Sequence, residues 1–156
     1  MPSRRDQIRM SDEELRGFLE EQMIVSVATV GPSGRPHLVP LWYVPDGEEL
    51  IGWTYAKSQK ARNLERDPRA TLQVEDGIQY DELRGAMFEC DVDVERDPDR
   101  VTDYGVALFS RYAAGGGDPG DEVRAMVKSQ APKRVGLRFK PTRTVTWDHR
   151  KLGGVY

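Results

Sequence analysis

Lys57 and Lys60 stand three residues apart within the run Trp-Thr-Tyr-Ala-Lys-Ser-Gln-Lys-Ala-Arg-Asn-Leu-Glu-Arg-Asp-Pro over residues 53–68. The run reads as the end of a strand, a short turn and one short helix closed by Pro68. That spacing puts both lysines on one face at the helix start. Glu65 and Asp67 fall in its last turn. A free-standing helix favours the opposite arrangement, with anions at its N-terminus and cations at its C-terminus. Two lysines beside unpaired N–H groups suit an external anion, most simply a phosphate. The plainer reading is an exposed surface helix with unfavourably placed charges.

A second candidate surface follows from Pro40. Proline cannot donate to a sheet ladder, so its strand must be an edge or be locally bent. Exposed backbone beside Leu41, Trp42 and Tyr43 would offer a flat ligand main-chain hydrogen bonds and an aromatic wall. Pro40 could equally serve only to protect the edge from further pairing.

The elements that must position these groups are short strands with few helices. Ser11-Asp12-Glu13-Glu14 has the form of a capping box, and Leu15, Phe18, Leu19 and Met23 continue at helical spacing. Strands are expected over 24–30, 36–44, 49–55 and 70–74, separated by Gly- and Pro-containing turns. Residues 83–94 alternate, with Phe88, Cys90, Val92 and Val94 opposite Met87, Glu89, Asp91 and Asp93. A half-buried strand with a wet face follows. Asp97-Pro98 opens a helix carrying Val101, Tyr104, Leu108 and Tyr112 on one stripe. A triglycine loop over 113–120, either a mobile lid or an ordinary connection, leads to a helix over 121–129. Two closing strands, 135–139 and 142–148, precede a basic tail over 150–156. The expected fold is mainly β with peripheral helices, a small β-barrel.

Composition narrows the function classes. A chain of 156 residues is long enough for a core without disulfide or metal staples. The pattern suggests one domain over 1–156, with 1–10 a flexible N-terminus. A net charge of −3 argues against a general nucleic-acid binder, which needs a clustered basic excess. No segment approaches a membrane-spanning length, and the charged N-terminus lacks the apolar core of a signal peptide. One cysteine, Cys90, permits no internal disulfide and fits a reducing cytoplasm. Cys90 reads as a buried structural thiol. His37 and His149 have no ligand-spaced partners, which argues against zinc and leaves haem ligation the weaker option. No Ser-His-Asp, Cys-His or paired-carboxylate constellation is present. That suits a protein whose cofactor carries the chemistry.

The ordered set Gly34-Arg35-Pro36-His37-Leu38-Val39-Pro40-Leu41-Trp42-Tyr43, the 53–64 run and Asp67-Pro68-Arg69-Ala70-Thr71-Leu72 resembles the pyridoxamine 5′-phosphate oxidase-like split β-barrel proteins. Leu83-Arg84-Gly85 and Trp147-Asp148-His149-Arg150-Lys151-Leu152 agree. The pattern looks closest to the flavin/deazaflavin branch, the coenzyme F-420-dependent enzymes. The resemblance implies a homodimer with two cofactor sites at its interface and a small-molecule acceptor, with no nucleic acid or membrane partner. It places Lys57, Lys60, Arg62 and Asn63 around the cofactor phosphate. Pro40, Leu41 and Trp42 would line the ring through backbone groups, with Thr54 and Tyr55 close by. Trp147 and Lys151 of the basic tail would reach toward the site, from the same or the other subunit. FMN is the alternative cofactor, and a non-catalytic flavin, deazaflavin or haem carrier is the alternative role. The Arg-x-His phosphate grip of true pyridoxamine phosphate oxidases has no counterpart, since His149-Arg150 is arranged differently.

Overall fold

The computed structural model describes residues 1–154, so the last two residues of the expected basic tail, Val155 and Tyr156, lie outside the described residues. Seven antiparallel strands form one sheet: β1 (Val25–Val30), β2 (Pro36–Leu41), β3 (Val44–Asp46), β4 (Glu49–Tyr55), β5 (Arg69–Asp76), β6 (Arg84–Glu95) and β7 (Arg134–Asp148). Their spatial order is β2-β1-β5-β6-β7-β4-β3. Five α-helices accompany them among the described residues: α1 (Arg4–Gln7), α2 (Asp12–Glu21), α3 (Gln59–Arg66), α4 (Pro98–Ala113) and α5 (Asp121–Gln130).

The order carries a strong constraint. β2 and β3 are the two outer strands of the sheet, yet only Trp42 and Tyr43 separate them in the chain. A two-residue link spans only about 7–10 Å, so the sheet must curl until its edges meet. No hydrogen-bonded ladder joins β2 to β3, and the barrel is therefore split along this seam. Val25 and Val27 from one end of the sheet share a core with Leu50, Leu137 and Phe139 from the other. The expected strand over 36–44 is thus two strands, broken at the seam. The edge position expected from Pro40 is present, since β2 pairs only with β1.

Tyr43 turns inward and is fully buried, so it belongs to the core and not to an exposed aromatic wall. Its hydroxyl stands 2.7 Å from the Leu19 carbonyl and 2.9 Å from that of Gln22. Burial pushes this phenol up to about 12. Arg111, at the end of α4, donates to the Leu19 and Gln22 carbonyls at 2.9 and 2.7 Å and to the Tyr43 carbonyl. The Leu19 and Gln22 carbonyls are among those that α2 leaves without intrahelical partners at its C-terminus. A cation there also complements the helix dipole. Tyr112 completes the clasp, accepting the Tyr43 N–H at 2.9 Å and donating to the Met23 carbonyl at 2.6 Å.

The two closing strands expected over 135–139 and 142–148 are one continuous strand. Pro141 sits opposite Cys90, where the β6–β7 register shifts between Glu89 and Cys90. That bulge absorbs the missing proline donor without ending the strand. Phe88, Cys90 and Val92 are buried, as the alternation of 83–94 requires. The N-terminal segment is tied down at Met10, which is buried and donates its N–H to Thr146 Oγ1 at 2.9 Å.

Replacing Arg111 with Met should strip the donor from several seam carbonyls while keeping much of its bulk. Leaving such groups unpaired costs about 1–3 kcal/mol each. Urea unfolding should show a clearly lower midpoint, and a midpoint matching wild type would show that the clasp contributes nothing.

Candidate functional site

Ser58 sets the start of α3. Its Oγ accepts the Ala61 N–H at 3.2 Å, which makes Ser58 the N-cap and Gln59 the first helical residue. Lys57 therefore precedes the helix and does not share a helical face with Lys60, contrary to the spacing argument. The two lysines still flank the same helix start. Lys57 is exposed, whereas Lys60 is half-buried and donates from Nζ to Thr54 Oγ1 at 2.9 Å. Thr54 is itself buried and lies 3.3 Å from Ser58 Oγ. A cluster of two hydroxyls and an ammonium results at the end of β4.

The charges on α3 resolve asymmetrically. At its C-terminal end Glu65 pairs with Arg96 at 2.5 Å and Asp67 with Arg69 at 2.7 Å. The guanidinium of Arg69 holds the Asp67 carboxyl down to about 2. At the N-terminal end no carboxylate pairs with Lys57, Lys60 or Arg62 among the described residues. Burial, reinforced by the nearby Arg134, pushes the Lys60 ammonium below the usual lysine range. A desolvated cation held on a hydroxyl, beside the free donors of a helix start, fits a phosphate or another oxyanion.

Asn63 sits elsewhere in this arrangement. It is fully buried and donates to Thr29 Oγ1 at 3.0 Å, while its own oxygen accepts Gln59 Nε2 at 2.8 Å. Its amide anchors α3 to β1. Arg62 is exposed on the helix surface.

Trp42 is 47% exposed and stacks on Tyr112, with ring centroids 4.3 Å apart and planes 9° from parallel. Phe109 meets the edges of both Trp42 and Trp53 at 6.4 and 6.3 Å. An aromatic band thus links the seam, with Pro40 and Leu41 on its β2 side, to the β4 end that carries Tyr55. Trp147 and Lys151 are not brought there within one chain. Trp147 lies near the far end of β7 from Arg134, roughly 40 Å away along an extended strand. Its ring covers Gly85, where an added Cβ would come within 2.1 Å of it. Lys151 already pairs with Glu14 at 2.7 Å and donates to the Arg9 carbonyl at 2.7 Å.

Cys90 and His149 have structural roles. Burial pushes the Cys90 thiol up to about 12. His149 Nδ1 lies 2.7 Å from the Tyr80 carbonyl. No group of three metal-ligating side chains occurs among the described residues, and none of the described helices is long and apolar enough to cross a membrane. Arg134 is a residue that sequence reasoning missed. It begins β7 directly opposite Tyr55, a pairing no local motif reveals.

The outer face of the sheet bears on the site as well. Pro40, Ser26, Gln73, Met87 and Val145 lie in register across β2, β1, β5, β6 and β7, and none is charged. Leu38, beside this row, is 67% exposed. Gly85 and Trp147 form the paired position two residues along on the same face.

Comparison with known proteins places these features in context. Residues 11–148 match the family described as pyridoxamine 5′-phosphate oxidase. The structure superposes on that of Rv2991, a conserved hypothetical protein from Mycobacterium tuberculosis, with a TM-score of 0.89 and 41% identity. That alignment covers 99% of this chain and 95% of the other. An F420 reductase matches with a TM-score of 0.64 and 26% identity over 83% of this chain and 94% of its own. The haem storage protein HutZ from Vibrio cholerae shares the fold, with a TM-score of 0.67 and 20% identity over 86% of this chain and 94% of the other.

Removing the desolvated Lys60 charge should not harm the ligand-free protein. A lysine whose folded pKa is lowered destabilises the fold at neutral pH, and the penalty disappears as pH rises past its unfolded value. Lys60→Met should leave the ligand-free melting temperature unchanged or slightly higher. Asn63→Leu should lower it, because Thr29 and Gln59 lose their buried partner. The reverse order would contradict this division of roles.

Proposed function

The chain belongs to the pyridoxamine 5′-phosphate oxidase family, and we propose that within it this protein is a homodimeric oxidoreductase using coenzyme F-420. The observation that carries the proposal is Lys60. Its ammonium is half-buried on Thr54, near the cation Arg134, with no carboxylate partner among the described residues. In this reading Lys60, Thr54 and the start of α3 hold the cofactor phosphate, with Lys57 and Arg62 supplying further positive potential. Backbone groups of Pro40, Leu41 and Trp42 line the ring, and Tyr55 stands beside the phosphate end. Bound there, the deazaflavin supplies hydride transfer to an unsaturated or conjugated acceptor. The protein positions the cofactor and excludes water, and no side chain is assigned as a dedicated acid or base.

Support for F-420 over FMN comes from the F420 reductase likeness and from the number of unpaired cations around the site. A single terminal phosphate would leave several of them unmatched. Vitamin B6 oxidation fits less well, because His149 is engaged by Tyr80 and Arg150 by Asp148. The free Cys90 suits a reducing cytoplasm.

The uncharged outer row from Pro40 to Val145 supports a two-fold dimer. An exposed sheet face normally alternates toward polar residues, and an isologous contact would cover this one. Trp147 lies on the same face, so dimerisation would bring a second chain's Trp147 toward the cofactor groove, with Lys151 remaining paired to Glu14. Met87→Glu should give a monomer by light scattering at micromolar concentration and weaken cofactor binding at least tenfold. A Met87→Glu protein that stays dimeric, or a monomer with full affinity, would remove this interface.

Lys60→Ala should weaken cofactor binding roughly ten- to a hundredfold, the range for one charge-assisted contact of about 1.5–3 kcal/mol. Wild-type affinity should fall as pH rises toward the ordinary lysine range, and earlier than for a solvent-exposed lysine. Fluorescence titration reads both effects. An unchanged dissociation constant in Lys60→Ala would refute the phosphate assignment, and micromolar FMN binding without F-420 binding would reverse the cofactor choice. Turnover separates an enzyme from a carrier: no acceptor speeding cofactor oxidation above the protein-free rate would favour the carrier.

A further inference from the structure

Arg134 stands outside the cluster just described. It pairs across the ladder with Tyr55, and its neighbour Val135 pairs with Thr54. Side chains alternate across a strand, so Arg134 lies on the opposite face of β4 from Thr54 and Lys60. Thr54 and Val135 are buried toward the barrel interior, while Tyr55 is 56% exposed.

The guanidinium of Arg134 is held on three sides. Its central carbon lies 4.3 Å from the centre of the Trp53 ring and 4.0 Å from that of Tyr55. Its Nε donates to Gln130 Oε1 at 3.0 Å. Both terminal nitrogens, the fork that binds oxyanions in bidentate fashion, take no acceptor among the described residues. Among the described residues no carboxylate pairs with this charge, although thirteen ion pairs there occupy many of the other cations. A stacked, oriented fork loses little freedom on binding and suits a planar carboxylate or a phosphate oxygen pair.

We propose that Arg134 is a second anion subsite, which takes an anionic group of the ligand separate from the phosphate held at Lys60. The proposal rests on the functional reading above. The two cations face opposite sides of the β4 end, so one compact phosphate does not engage both fully. A ligand with two separated anionic groups straddles the strand end and also relieves the repulsion between the two cations, which adds to burial in lowering the Lys60 pKa. Arg134 therefore selects for ligands with an anionic extension beyond the phosphate, and it contributes little to a ligand that ends there.

Three probes test this: F-420 with its glutamyl tail, the same deazaflavin truncated after the phosphate, and FMN. Arg134→Gln should weaken tailed F-420 at least tenfold and change the other two less than twofold. Arg134→Lys keeps the charge without the fork and should give an intermediate loss. Equal weakening of all three probes, or unchanged affinity for tailed F-420, overturns the subsite. If none of the three binds the wild type, the functional reading fails on its own. The subsite is then judged by a γ-linked triglutamate followed at the Arg134 Nε–H resonance. A saturable shift that Lys60→Ala preserves supports it, and no shift overturns it.

Discussion

Everything in this fold depends on the two-residue link that joins the outermost strands of its single sheet. Because β2 and β3 flank Trp42 and Tyr43, the sheet has to curl, and the side chains at the link have to point to opposite sides. Tyr43 fills the interior and fixes the end of α2. Trp42 faces out and rests on Tyr112. The two edges do not share hydrogen bonds, so another element has to hold them in place. Arg111 and Tyr112 do this from α4, by satisfying carbonyls that neither the strands nor α2 can. The exposed indole beside the proposed ring wall is therefore braced by groups buried behind it.

The second organising feature is where charge is left unpaired. Most arginines in this acidic chain meet a carboxylate or a set of carbonyls. Around the start of α3 and the start of β7 they do not. Burial of Lys60 without a counter-ion is unfavourable in the ligand-free protein. Such a cost is expected where binding energy later offsets it. The same helix carries acids at its other end, but these are matched by Arg96 and Arg69 from neighbouring elements. Only the N-terminal half of the apparent mis-charging survives in the folded molecule.

Much of this was legible in the sequence. Alternation in 83–94 and the edge role of Pro40 follow from local pattern and are present, and of the stripe Val101, Tyr104, Leu108 and Tyr112 the first three are buried while Tyr112 stays half-buried at the seam. Boundaries failed where tertiary structure overrode a local signal. Residues 135–148 read as two strands, but a bulge opposite Cys90 carries β7 through Pro141 without a break. The apolar run 36–44 looked like one strand, because nothing local marks a seam. Spacing alone puts Lys57 in the helix, although Ser58 has the better capping side chain. Within the candidate site, Asn63 and Lys60 share α3 and look alike in sequence. Burial alone separates the structural amide from the half-buried cation. Arg134 was invisible for a different reason: its importance comes from a cross-strand neighbour far away in the chain.

The central claim is that an anionic cofactor group sits at the start of α3, on Lys60 and Thr54. The most direct measurement is a nitrogen-edited NMR titration of the protein with F-420, following the Gln59, Lys60 and Ala61 amides and the Lys60 ammonium. The account predicts the largest shifts at these groups, with the ammonium protons becoming protected from exchange as ligand saturates. Saturable shifts confined to α4, α5 and the triglycine loop, with the α3 amides unmoved, would contradict it.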